Sequence, residues 1–188
     1  MAATRQTLTW VKNGRGTPAF IRSLPEGTSE TFKKGALLLW DVSEVGVVEG
    51  ARTSGVPDAD SAYGIAFEDA TGTAGTLIDV LIPQPGDVFA AALASDADTV
   101  IAPVAATHIG LGVGIVKLST TGGAGTEYVV STADDDSGQI QDLYGPDIEK
   151  RGGLTATFSA GDRVLFVFSD GFFSNRGATV TAGDGQVA

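Results

Sequence analysis

A chain of 188 residues with no cysteine and a formal charge of −11 is long enough to bury its own core, holds no disulfide or thiolate metal site, and repels phosphate, which argues against a general nucleic-acid binder. Its 26 glycines, about twice ordinary usage, fall at the short intervals of turns between strands, so extended helices are not expected. The opening "MAATRQTLTWVKNGRG" lacks the apolar stretch of a signal peptide, and no apolar run is long enough to span a bilayer, so neither export by that route nor membrane association is expected.

In chain order, "QTLTWVK" alternates Leu8, Trp10 and Lys12 with Thr7, Thr9 and Val11, a strand partly apolar on both sides that needs a partner. "NGRGTP" is a flexible link, "AFIRSL" a short strand and "PEGTSE" a turn. "ETFKKGALLLWDV" reads as strand, Lys-Lys-Gly turn and strand, with "VGVVEG" as its hairpin partner, and residues 51–62 read as an exposed loop. "YGIAFED", "TLIDVLI" and "VFAAAL" are strands separated by "ATGTAG" and "PQPGD", where Pro83 and Pro85 cannot both sit in a central ladder and so mark a strand end. The stretch from Ala94 to Gly110 has room for one short helix. "LGVGIVKLS" and "EYVVST" are strands, "ADDDSGQIQDLYGPDIEKRGG" is a long polar connection, "LTATFSAGDRVLFVFS" a closing hairpin and "NRGATVTAGDGQVA" a loose tail. Thr31-Phe32-Lys33-Lys34-Gly35 and Thr157-Phe158-Ser159-Ala160-Gly161 echo one another through shared turn chemistry rather than a repeat, the aromatic packing inward while Gly takes a positive φ.

Charge is unevenly placed. Residues 1–40 hold six of the twelve basic residues (Arg5, Lys12, Arg15, Arg22, Lys33, Lys34) and only Glu26 and Glu30 of the 23 acidic ones, a basic head on an acidic body. Constellations that carry chemistry are scarce. The only histidine, His108, sits among apolar residues, and no serine lies in a G-x-S-x-G elbow. Gly110 to Gly114, "GLGVG", lacks dinucleotide-loop spacing and continues into a strand. Asp134, Asp136 and Gly138 fall in an order reminiscent of a calcium loop, but Gly145 stands where the bidentate Glu is needed, so Asp134, Asp135 and Asp136 read as a solvated turn, as do Asp58, Asp60, Asp96 and Asp98. A glycosidase pair such as Glu68 and Asp79 has nothing to bring it to one cleft. The expectation is a protein without catalytic residues, cofactor or metal.

Residues 29–93 carry a resemblance. "SETFKKGALLLWD", "GVVEGA" and "YGIAFEDATGTAGTLIDVLIPQPGDVFAAAL", above all Gly64 to Ala70 and Asp79 to Phe89, resemble the decoration (cement, head-stabilising) proteins of tailed bacteriophage capsids, with vaguer similarity in "FSAGDRVLFVF". The resemblance implies a mainly-β fold, a small β-barrel or β-tulip-like body with long loops, assembled as a homotrimer on the outer capsid surface of a virion made in the bacterial cytoplasm. It implies the major capsid protein as partner, with neither nucleic acid nor membrane bound. Residues 1–22 would form an extended N-terminal arm binding the capsid through Arg5, Leu8, Trp10, Lys12, Arg15, Phe20 and Arg22. Residues 23–188 would form the body, with 94–153, longer and more acidic than a minimal barrel needs, as an outer subdomain or insertion. The alternative is a β-rich adhesion module that binds carbohydrate or a host-surface protein through aromatics near Trp10, Trp40, Phe172 and Phe173.

Overall fold

In a computed structural model of the chain, residues 8–41, 43–50, 62–121, 126–135, 137–144 and 158–169 are described. They form β1 (Thr9–Asn13), β2 (Ile21–Pro25), β3 (Leu37–Asp41), β4 (Gly46–Glu49), β5 (Ala62–Ala66), β6 (Leu77–Leu81), β7 (Asp87–Ala94), β8 (Val100–Ile101), helix α1 (Ala105–His108), β9 (Gly112–Lys117), β10 (Tyr128–Ser131), β11 (Gly138–Tyr144) and β12 (Arg163–Phe168). The fold is mainly β, as expected, and its strands make two sheets, the larger of them partly ring-like.

The smaller sheet has the order β2-β6-β5-β3-β4 and is antiparallel throughout. The expected "LLLWD"/"VGVVEG" hairpin is β3–β4, with Leu38 opposite Glu49 and Trp40 opposite Val47. A single parallel bridge between Glu26 and Val47 draws the two end strands together, and the Gly27 N–H donates to the Val47 carbonyl at 2.9 Å. This seam has no space for side chains. A Cβ on Gly46 would lie 2.8 Å from the Gly27 nitrogen, and one on Gly27 would lie 2.6 Å from Val48 Cγ1.

The larger sheet is built around β7, whose partners change along its length. β1 and β12 flank its first part, whereas Leu93 and Ala94 pair with β8 and, in parallel, with β10. From β10 the pairing passes through β9 and β11 to β12 and so returns to β7. Because side chains alternate across a strand, Phe89, Ala91 and Leu93 join the main core with Leu37, Ile65 and Val80 of the smaller sheet. Ala92 and Ala94 point into a second cluster with Val116, Leu118 and Val129. One core therefore spans both sheets.

Three expectations are corrected. The arm expected over residues 1–22 is, in its described part, woven into the body: Thr9–Asn13 pair with β7 and Ile21–Pro25 with β6, and Leu8 is buried in the core. Residues 94–153, expected as an outer insertion, supply β8 to β11 of the larger sheet in their described part, with Ile115, Tyr128 and Ile140 in the common core. The polar connection after Ser131 contains β11, which buries Ile140 and Leu143, exposes Gln139 and Gln141, and shifts register by a bulge between Ile140 and Asp142. β12 pairs with β11 and β7; residues 151–157, which hold most of the first strand of the expected closing hairpin, lie outside the described residues, as do the loop 51–61 and the tail 175–188.

The seam gives a direct stability test. Gly46→Ala should cost about 2 kcal/mol or more in urea-induced unfolding, the range of overpacking at an unyielding backbone. Gly14→Ala, where the nearest atom to a Cβ is the Gly86 carbonyl oxygen at 3.5 Å, should change stability by no more than about 0.5 kcal/mol.

Candidate functional site

The turn "PQPGD" explains where the expected arm residues go. Gly86 has φ +88° and the Asp87 N–H donates to the Gln84 carbonyl at 2.9 Å, the arrangement of a type II turn with Pro85 at its second position. The Asp87 carboxylate is buried and serves three donors. Oδ2 accepts from the Gln84 N–H at 2.7 Å, while Oδ1 accepts from Asn13 Nδ2 at 2.7 Å and from the Trp10 indole Nε1 at 3.0 Å. Trp10 and Leu8 are thus consumed in holding β1 to the body, not left free to bind a lattice. Arg5 lies outside the described residues.

Lys12, Arg15, Phe20 and Arg22 remain exposed. β2 is an end strand of its sheet, and Phe20, Ile21, Arg22 and Ser23 in succession are open to solvent. Four consecutive exposed residues at a sheet edge leave both faces of the strand accessible, with the backbone row that an incoming strand could pair with. Both carboxylates of the segment point elsewhere. Glu26 is buried and accepts from the Thr71 N–H and hydroxyl, both at 2.8 Å, and from the Gly72 N–H at 2.7 Å; Glu30 is buried and accepts from the Glu49 N–H at 3.1 Å. The exposed charges over the described part of residues 8–34 are therefore all positive: Lys12, Arg15, Arg22, Lys33 and Lys34. Lys33 pairs with Asp69 at 3.0 Å and Lys34 lies 4.4 Å from the Phe67 ring centre. The bond from the Lys34 N–H, then that from Lys33, holds the Asp69 carboxyl below its usual range. Next to this strip Arg22 Nη1 donates to the Tyr63 hydroxyl at 3.3 Å, and Tyr63 meets Trp40 with ring centres 6.0 Å apart.

The other candidates resolve into structural roles. Glu68 and Asp79 do meet, but as a backbone contact in which Glu68 Oε1 accepts from the Asp79 N–H at 2.7 Å on an exposed surface. Asp96 accepts from the Asp98 N–H at 2.8 Å, Asp98 accepts from the Ser119 hydroxyl, and the Asp96 carboxyl is held low mainly by that Asp98 N–H. Asp134 accepts from the Asp135 N–H at 2.9 Å. Gly112 and Gly114 belong to β9, where a Cβ would lie 3.0 Å from Asp135 Cβ and 2.5 Å from Asp134 Cβ, so these glycines admit the acidic turn, not a phosphate. Asp58, Asp60, Asp136, Phe172 and Phe173 lie outside the described residues, and among those described no three metal-ligating side chains cluster.

One constellation escaped sequence reading. Lys117 of β9 donates to Glu49 Oε1 of β4 at 2.7 Å, the same oxygen accepts from the Tyr128 hydroxyl of β10 at 3.1 Å, and all three side chains are buried. Lys117 and Glu49 are 68 positions apart, so no local spacing signals the pair. It clamps the two sheets together. Comparison of the chain with protein-family models, with curated proteins and with solved structures returns no match.

Two substitutions test these assignments. Lys117→Met should destabilise by about 3–5 kcal/mol in chemical denaturation because Glu49 is left charged and buried, whereas Lys117→Met with Glu49→Leu should recover most of that loss. Asp87→Ala, which strands the buried Asn13 amide and removes the Trp10 acceptor, should cost about 1–3 kcal/mol per buried donor left unmet, read by chemical denaturation.

Proposed function

We propose that this chain is a decoration protein of a phage capsid, binding the outer surface of the shell and stabilising it by bridging neighbouring major capsid subunits, as a homotrimer. The observation that carries the reading is the β2 edge, where Phe20, Ile21 and Arg22 are exposed in succession on a body whose net charge is otherwise strongly negative. The motifs of the resemblance agree with it. "GIAFEDA" is β5 and the loop that follows, and "IPQPGDVF" is the turn that leads from β6 of one sheet into β7 of the other, so both are parts of the framework that carries the edge. A structural role of this kind needs no reaction centre. It needs a rigid body, a surface that meets the lattice, and several contacts per assembly so that detaching one copy means breaking many interactions.

The body's involvement of Trp10 and Leu8 changes where attachment falls. Charge contributes on-rate and orientation, since exposed ion pairs are worth about 0–1 kcal/mol each and are screened by salt. Strand pairing and burial of Phe20 and Ile21, at about 25 cal/mol per Å² of apolar area, supply the larger share. A second reading, an adhesion module, is favoured by one observation: Trp40, Tyr63 and Arg22 form an aromatic and guanidinium group on the surface of the smaller sheet.

Purified particles from the cells in which the chain is made separate the two. As a decoration protein it should be among the most abundant bands of the particle, and sedimentation equilibrium of the isolated protein or of its shell complex should give a trimer. Phe20→Ser with Arg22→Glu should lower shell occupancy at least about tenfold at fixed protein concentration with an unchanged thermal melt, while Trp10→Ala should lower the melting temperature first. Wild-type occupancy by the Phe20→Ser, Arg22→Glu variant would remove β2 as the attachment edge, and binding to a glycan array with no particle association would replace the reading by the adhesion module.

A further inference from the structure

Helix α1 has only four residues and follows Val104 at its N-cap, whose side chain cannot cap it. Val104 is closed instead by the helix's last residue. Its N–H donates to His108 Nδ1 at 2.8 Å, and its carbonyl accepts from the His108 N–H at 2.9 Å and the Thr107 N–H at 3.2 Å. An imidazole that accepts at Nδ1 must carry its single proton on Nε2, so the ring is neutral in this arrangement. The far end of the loop is tied separately. The Gly110 N–H donates to the Ile140 carbonyl at 2.9 Å, the Ile140 N–H to the Leu111 carbonyl at 3.0 Å, and Gln139 Nε2 to the Gly110 carbonyl at 2.9 Å. Between the ties stand three exposed apolar side chains, Val104, Ile109 and Leu111, and Gly110 has φ +84°.

We propose that His108 is an acid-sensitive latch: a proton on Nδ1 removes the acceptor for the Val104 N–H, and the apolar segment 103–109 swings away from the body about Gly110 while Gly110 and Leu111 stay paired to β11. The mechanism is a simple conflict of donors. Once protonated, Nδ1 carries its own hydrogen and faces the Val104 N–H with no lone pair between them. Among the described residues no acidic side chain bonds to the imidazole to offset the new charge. Residues 100–111 contain no other titratable side chain. The described element packed most closely on α1 is β11, whose titratable side chains are Asp142 and Tyr144; neither bonds to the imidazole, and Asp142 accepts from the Leu143 N–H at 2.8 Å. Burial holds His108 below its ordinary value.

The direction follows from linkage. The closed loop binds the proton less readily than the open loop, in which His108 titrates near 6.5. The latch therefore contributes its full stability above about pH 6.5 and loses it as pH falls through the lower, closed-state value, by up to about tenfold in the opening equilibrium per pH unit across that window. Acid would thus uncover the buried Ala105 between Val104 and Ile109, which are already exposed, with the rest of the fold intact.

Amide hydrogen exchange from pH 7.5 to 4.5, corrected for intrinsic rates, tests this on the full chain. Protection at Val104, Thr107 and His108 should fall with pH while that at Ile140 stays constant. His108→Asn, whose amide oxygen can replace Nδ1 as acceptor but does not titrate in this range, should keep protection flat across the pH range, and His108→Ala should show low protection at every pH. Constant wild-type protection, an Asn variant that loses protection in step with the wild type, or nitrogen chemical shifts placing the proton on Nδ1 at pH 7.5 would each overturn the latch.

Discussion

The fold depends on one strand having both faces buried. β7 reads "DVFAAALA" and only Val88 of its eight residues is more than slightly exposed. Four alanines make that possible. A strand that is the shared member of four pairings has neighbours on every side, and bulky side chains at each position would hold those neighbours apart. Phe89 and Leu93 fill the main core, where the ring of Phe89 meets Phe168 edge-on at 5.0 Å and lies 5.9 Å from Phe166, while Ala92 and Ala94 face the thinner second cluster. The strand's composition thus sets the spacing of the whole larger sheet.

The same turn device starts β7 and β12. Gln84-Pro85-Gly86-Asp87 and Ser159-Ala160-Gly161-Asp162 both carry a positive-φ glycine, a bond from the Asp N–H back to the first carbonyl (2.9 and 3.0 Å), and a carboxylate oxygen returning to the first N–H (2.7 and 2.8 Å). Since β7 and β12 pair antiparallel with Val88 opposite Val167 and Ala92 opposite Arg163, the two turns sit at opposite ends of one strand pair. Each end of the pair has its own fixed entry angle. Asp87 does more than Asp162 only because β1 supplies Trp10 and Asn13 as extra donors.

Much of this was legible from residue order. Strands bounded by Gly, Pro and Asp appear at the β3–β4 hairpin and at the Pro-marked end of β6, and the short helix falls in the one stretch that had room for it, while Glu30 to Phe32, read as a strand, form none. The failures share a cause. β11 was hidden because "GQIQDLY" buries only two large side chains and a bulge breaks its alternation, so composition spoke for a connection while the partners β9 and β12, far off in sequence, made a strand. Trp10 and Leu8 read as an arm because a strand that is half apolar on both sides needs a partner, and nothing local says whether the partner belongs to the same chain. The Glu49–Lys117 pair was invisible for the same reason.

Charge segregation connects the folded body to its surface. A polypeptide of −11 pays for compactness in self-repulsion, and the cheapest relief is to mix signs over the surface. Here the first described segment does the opposite. Its two carboxylates, Glu26 and Glu30, are drawn inward to satisfy backbone N–H groups, which is an efficient use of a buried acceptor because a carboxylate meets several donors at once. The consequence outside is a segment with cations alone at its surface, beside an edge strand whose apolar residues face water. Arg22, on that edge strand, discourages a second cationic edge from pairing there, in the way charged side chains guard exposed strands. The all-positive surface of this segment arises from where two glutamates point as much as from where the basic residues stand.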